Sequence, residues 1–73
     1  MQLITEGVLS GACNGWDGNT LFRFDNGQIW EQAIYRYRYF YIYHPRVKIW
    51  NDRGQCLLEE DGVDEVLPVR RVR

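Results

Sequence analysis

The sequence predicts an all-β domain, a small antiparallel SH3-like barrel of five to six strands, and three observations carry that prediction. No stretch keeps apolar residues at i, i+3 and i+4 over the ten or more positions a helix needs. Apolar and aromatic residues instead alternate with period two in Tyr35–Tyr43 and Arg46–Trp50, which is the strand period. Turn clusters rich in Gly, Asn and Asp punctuate the chain at short intervals. An OB-like barrel is the neighbouring alternative, although that fold usually needs a longer chain and a helix.

With 73 residues the chain makes one domain, residues 1–73. A chain of this size buries only about 60% of the surface its unfolded form exposes, so each large apolar residue matters. The composition is 45% hydrophobic and 26% charged, that of a folded globular domain, and its 15% aromatic residues supply much of the area to bury. The net charge of −1 supplies no global field towards nucleic acid or an anionic membrane. Residues 36–53 are locally basic and residues 59–65 locally acidic. No apolar run approaches the ~18 residues of a membrane span, and Met1–Glu6 lacks the pattern of a signal peptide. The expected location is cytoplasmic.

Residues 2–13 read as a first strand, in which the apolar parity changes. A bulge near Glu6-Gly7 would reconcile Leu3 and Leu9 with Ile4, Val8 and Ala12. Asn14–Asn19 reads as a turn of the kind that closes a hairpin. It holds a G-x-x-G string, but neither flank is helical, as a KH-type RNA clamp requires.

Thr20–Phe24 and Gln28–Ala33 flank Asp25-Asn26-Gly27, a strong hairpin signal. A three-residue loop with Gly27 left-handed pairs Phe22 with Trp30, puts Phe22, Phe24 and Trp30 on one face, and leaves Arg23 and Glu31 as an exposed ion pair. The core is expected to start there and to include Val47 and Ile49. Residues 35–43 read as the next strand, with the tyrosines on one face and Arg36, Arg38, Phe40 and Ile42 on the other. His44-Pro45 is a bend; Arg46–Trp50 and Gln55–Glu60 are strands joined by the turn Asn51–Gly54. Val63–Val72 closes the chain, with Pro68 as an edge-type residue.

Catalytic chemistry is not expected. The single histidine, His44, has no local partner or nucleophile, and no phosphate loop, dinucleotide motif or histidine metal motif occurs. No cofactor or metal is expected. Glu59, Glu60, Asp61, Asp64 and Glu65 lack the ligand spacing of a calcium loop and read as a solvated turn. Cys13 and Cys56 have no ribbon or redox spacing and read as two buried thiols, with a disulfide as the alternative. Arg70, Arg71 and Arg73 read as a solubilising tail.

The tyrosine run is the candidate site: Tyr37, Tyr39, Tyr41 and Tyr43 as a contact face, with Arg36 and Arg38 as supporting charges. Rings about 7 Å apart along a strand can line a groove for a protein or peptide, or stack bases. The partner expected is an unidentified protein or peptide. A second copy of the chain is a further candidate partner through the exposed aromatic strand, or the run serves the sheet alone. Single-stranded nucleic acid is the weaker alternative, because phosphate neutralisation dominates such affinity and the chain is not basic.

The pattern Gly15-Trp16-Asp17-Gly18, Phe22, Asn26–Gln32, the alternating aromatic run, Pro45-Arg46-Val47 and Val63-Asp64-Glu65 resembles a group of small uncharacterised bacterial domains. The resemblance covers most of the chain. It implies a single bacterial β-domain and brings no activity, ligand or catalytic residue.

Overall fold

A computed structural model describes residues 1–73. It contains eight strands and no helix: β1 (Gln2–Val8), β2 (Ala12–Cys13), β3 (Leu21–Arg23), β4 (Ile29–Gln32), β5 (Ile42–Tyr43), β6 (Arg46–Asp52), β7 (Gln55–Glu60) and β8 (Val66–Arg71). Six form one antiparallel sheet in the order β1-β6-β7-β8-β4-β3, and β2 pairs with β5 as a separate ribbon. No helix is long and apolar enough to cross a membrane.

The two edges of the large sheet approach at one corner. Leu9 and Phe24 form an isolated bridge, flanked by Ser10 N–H to the Arg23 carbonyl (2.8 Å) and Asp25 N–H to the Val8 carbonyl (2.9 Å). Beyond that corner the edges are not laddered, so the sheet curls without closing into a barrel.

The β3–β4 hairpin has the expected register: Phe22 is opposite Trp30, and Gly27 at φ 93° ends the Asp25-Asn26-Gly27 loop. The exposed ion pair does not form as expected. Arg23 stands opposite Ile29, and Glu31 accepts instead from Arg70 Nε at 2.6 Å, because β8 lies alongside β4 and puts Arg70 directly opposite Glu31. The β6–β7 turn is a tight two-residue loop: Arg53 and Gly54 both have positive φ (56° and 88°), the geometry that matches the twist of antiparallel strands.

The core is one cluster in which Phe22, Phe24, Trp30, Val47 and Ile49 meet Leu9, Cys13, Trp16, Leu58, Leu67 and Val69. Ile49, Leu58 and Leu67 lie side by side across β6, β7 and β8, each fully buried, so one row of aliphatics seals the sheet's concave face. A buried Leu or Ile of this kind is worth about 2 kcal/mol of transfer energy.

Several expectations are corrected. The first strand ends at Val8, and its irregularity lies between Leu3 and Thr5, not at Glu6-Gly7. Gly7 is small for another reason: a Cβ there would stand 3.0 Å from the Phe24 ring. The 14–19 turn closes no hairpin, because β2 pairs with β5 and β3 with β4. Trp16 inside it is buried and draws the turn inward. The last strand starts at Val66, and Pro68 lies buried in an interior strand rather than at an edge. Its carbonyl accepts from Ala33 N–H (2.9 Å), so the missing proline donor faces the point where β4 has already ended. Both cysteines are free; Cys13 is buried and Cys56 half-buried.

Candidate interaction surface

Residues 35–43 are not one continuous strand, which corrects the expectation of a full ladder there. Arg38 makes an isolated bridge with Trp16, and only Ile42 and Tyr43 enter β5. The alternation of sides survives. Tyr35, Tyr37, Tyr39, Tyr41 and Tyr43 are 60–77% exposed, and Arg36, Arg38, Phe40 and Ile42 are half-buried.

The even positions hold the segment down. Phe40 packs edge-to-face on Trp16, with centroids 5.7 Å apart and planes at 89°. Arg38 N–H and C=O exchange bonds of 3.1 and 2.9 Å with Trp16 C=O and N–H. The Arg36 guanidinium donates to Glu65 Oε2 and to the Val66 carbonyl, both at 3.1 Å. Arg38 donates to Asp64 Oδ1 (2.8 Å) and Glu65 Oε1 (3.1 Å). The Arg38 hydrogen bond holds the Asp64 carboxyl below the usual carboxylate range, and Arg38 itself is raised by Asp64 and Glu65.

The 15–20 turn is built to receive this segment. Gly15 (φ 87°) lies so close to the Arg38 carbonyl that no side chain fits there. Gly18 (φ 111°) lies under the Tyr35 ring. Buried Gln32 joins the two pieces: its Nε2 donates to the Arg36 carbonyl (2.9 Å), and its Oε1 accepts from Gly18 N–H (2.9 Å).

Tyr37, Tyr39, Tyr41 and Tyr43 therefore share one exposed side. Arg36 and Arg38 are engaged by Asp64 and Glu65. Their pairing with the acidic segment spans 26 to 30 residues of sequence. Trp50 Nε1 donates to Glu59 Oε1 at 3.0 Å. His44, at φ 49°, places Nδ1 3.1 Å from the Leu9 carbonyl and its ring 4.3 Å from that of Tyr43.

One acid read as part of a solvated turn is in the core. Glu60 is 1% exposed, its Oε1 accepts from Cys13 Sγ at 3.6 Å, and its Oε2 has no partner. Burial pushes its pKa from 4.5 to about 7, against a smaller lowering by the Cys13 hydrogen bond. Burial, then the nearby Glu60 charge, pushes the Cys13 thiol up to about 11. The signal was present in parity: Glu60 has the same parity as core Leu58 and stands opposite Val47. No three His, Cys, Asp or Glu side chains gather in a metal-binding group.

Comparison with protein-family models, curated proteins and solved structures returned no match to this chain.

Proposed function

We propose that the protein is a small non-enzymatic SH3-like module that binds a protein or peptide through the exposed face of Tyr37, Tyr39, Tyr41 and Tyr43, continued by Tyr35. One observation carries the reading: the five tyrosines at alternate positions of one segment are each at least 60% exposed, while the positions between them are half-buried and do the anchoring. The buried core contains none of them. Rows of exposed aromatics favour partners that bury flat apolar area and offer hydrogen bonds to the hydroxyls. Arg36 and Arg38 serve this face indirectly, by holding its backbone to Asp64 and Glu65. Their engagement weighs against single-stranded nucleic acid, which needs free cations beside the rings. The approach of the sheet edges at Leu9 and Phe24 favours the SH3-like description over an OB-like one.

The test is selection from a phage-displayed random dodecapeptide library. Selected peptides are measured against the wild type and a variant carrying Ser at 37, 39, 41 and 43. The reading expects ligands that lose at least tenfold in affinity on the variant while its melting temperature stays near wild type. Ligands indifferent to all four substitutions would overturn it.

A further inference from the structure

A cleft of about 520 Å³ lies between β2 and β3, and no tyrosine lines it. That volume is within the range of ligand sites, about 300–1,000 Å³. Its origin is a parting of two chain segments. Residues 8–10 are joined to residues 23–25 by the Leu9–Phe24 bridge and its two flanking hydrogen bonds. Continued pairing would set Ala12 against Leu21. Instead Gly11, at φ 72°, turns the chain away, and β2 pairs with β5 while β3 pairs with β4.

Both walls of the cleft therefore present unpaired backbone. In an antiparallel ladder alternate residues bond to the same neighbour. The Gly11 carbonyl accepts from His44 N–H (2.9 Å), so the N–H and C=O of Ala12 turn the other way, into the cleft. Across from it, Thr20 and Phe24 bond to Gln32 and Gln28 of the β4 arm, so Leu21 and Arg23 turn outward. The Arg23 carbonyl is used by Ser10, but the Leu21 N–H and C=O and the Arg23 N–H are left free by the sheet. Buried Leu9, Cys13 and Phe22 form an apolar floor. Arg23, at the pinched end, is in none of the ion pairs.

We propose that this cleft binds an extended peptide segment of another protein, inserted as an added strand between Ala12 of β2 and Leu21 of β3. Main-chain bonds to Leu21 and Ala12 provide the affinity, as in other strand-addition complexes. Alternation of the inserted strand sends every second side chain to the floor, where Leu9 and Phe22 favour small apolar residues. The residue beside Arg23 is acidic. About three residues fit along β3, whose length is three residues.

The variant that isolates this site is Leu21→Pro. Its N–H points into the cleft and bonds nothing in the sheet, a position where an edge strand accepts proline. Dodecapeptides from the random library are tested by NMR titration of the amide spectrum and by affinity. Expected are ligands that shift the Ala12, Leu21 and Arg23 amides, lose at least tenfold on Leu21→Pro, and are unaffected by the combined Tyr37→Ser, Tyr39→Ser, Tyr41→Ser and Tyr43→Ser variant. N-methylation of the central peptide amide abolishes binding to the wild type, which gives a readout even if Leu21→Pro does not fold. A library yielding no ligand that shifts those amides, or ligands that tolerate N-methylation at every position, would overturn the proposal. Since the tyrosine variant and Leu21→Pro report on separate surfaces, either reading can fail alone.

Discussion

Cys13 Sγ lies 3.6 Å from Glu60 Oε1 inside the core and joins the β2–β5 ribbon to the end of β7. The pair puts an ionisable acid where water does not reach, and its consequence is a stability that depends on pH. The folded protein holds the Glu60 proton to about pH 7, whereas the unfolded chain releases it near 4.5. Stability from this group is fully present below pH 4.5 and is lost as pH rises through 7. At about 1.4 kcal/mol per tenfold change in proton affinity, the loss is on the order of 3 kcal/mol. Urea denaturation from pH 4 to 8 measures it, and Glu60→Gln is expected to flatten that part of the profile. An equal slope in the variant would mean that Glu60 does not carry the effect.

The same burial protects a thiol. Only the thiolate is nucleophilic, and Cys13 stays protonated to about pH 11. Iodoacetamide at pH 8 is expected to alkylate half-buried Cys56 well before buried Cys13. Peptide mapping by mass spectrometry reads the order. Equal rates at the two sites would show that Cys13 is open to solvent in the native state.

Gly15 should be the least replaceable glycine of its turn. Gly54 also has a positive φ but faces open space, so Gly54→Ala is expected to cost the left-handed penalty alone, about 1–2 kcal/mol. Gly15→Ala adds a collision with the Arg38 carbonyl, which belongs to backbone and cannot rotate away. The expected cost is at least about 3 kcal/mol. Denaturant melts of the two variants compare them directly, and equal losses would remove the close approach from the account.

Gln32 predicts a local effect. Gln32→Ala leaves the Gly18 N–H and Arg36 carbonyl without their partner, at an expected cost of about 2–3 kcal/mol. Hydrogen exchange should quicken at Gly18 and in residues 35–40 before it does in β6 and β7. Uniform acceleration across the chain would instead mean that the 15–20 turn and the tyrosine segment are not a separate unit.

The sequence by itself determined the features that depend on near neighbours. Period two put the tyrosines on one side of their segment and Val47 and Ile49 on the core side. The chemistry of Asp25-Asn26-Gly27 set the register that pairs Phe22 with Trp30. Tertiary structure decided what lies alongside each segment, because alternation assigns a side chain to a face and says nothing of its neighbour. Residues 35–40 alternate as a strand would, yet they make one isolated bridge, since Trp16 and the acids at 64 and 65 engage them where a ladder partner would be. Glu60 is buried, and Arg36 and Arg38 are neutralised, through partners 26 or more residues away. Pro68 sits in an interior strand because β4 stops one residue short of needing its missing N–H. The cleft between β2 and β3 exists because Gly11 sends the chain to β5, a choice of partner that local residue pattern does not encode.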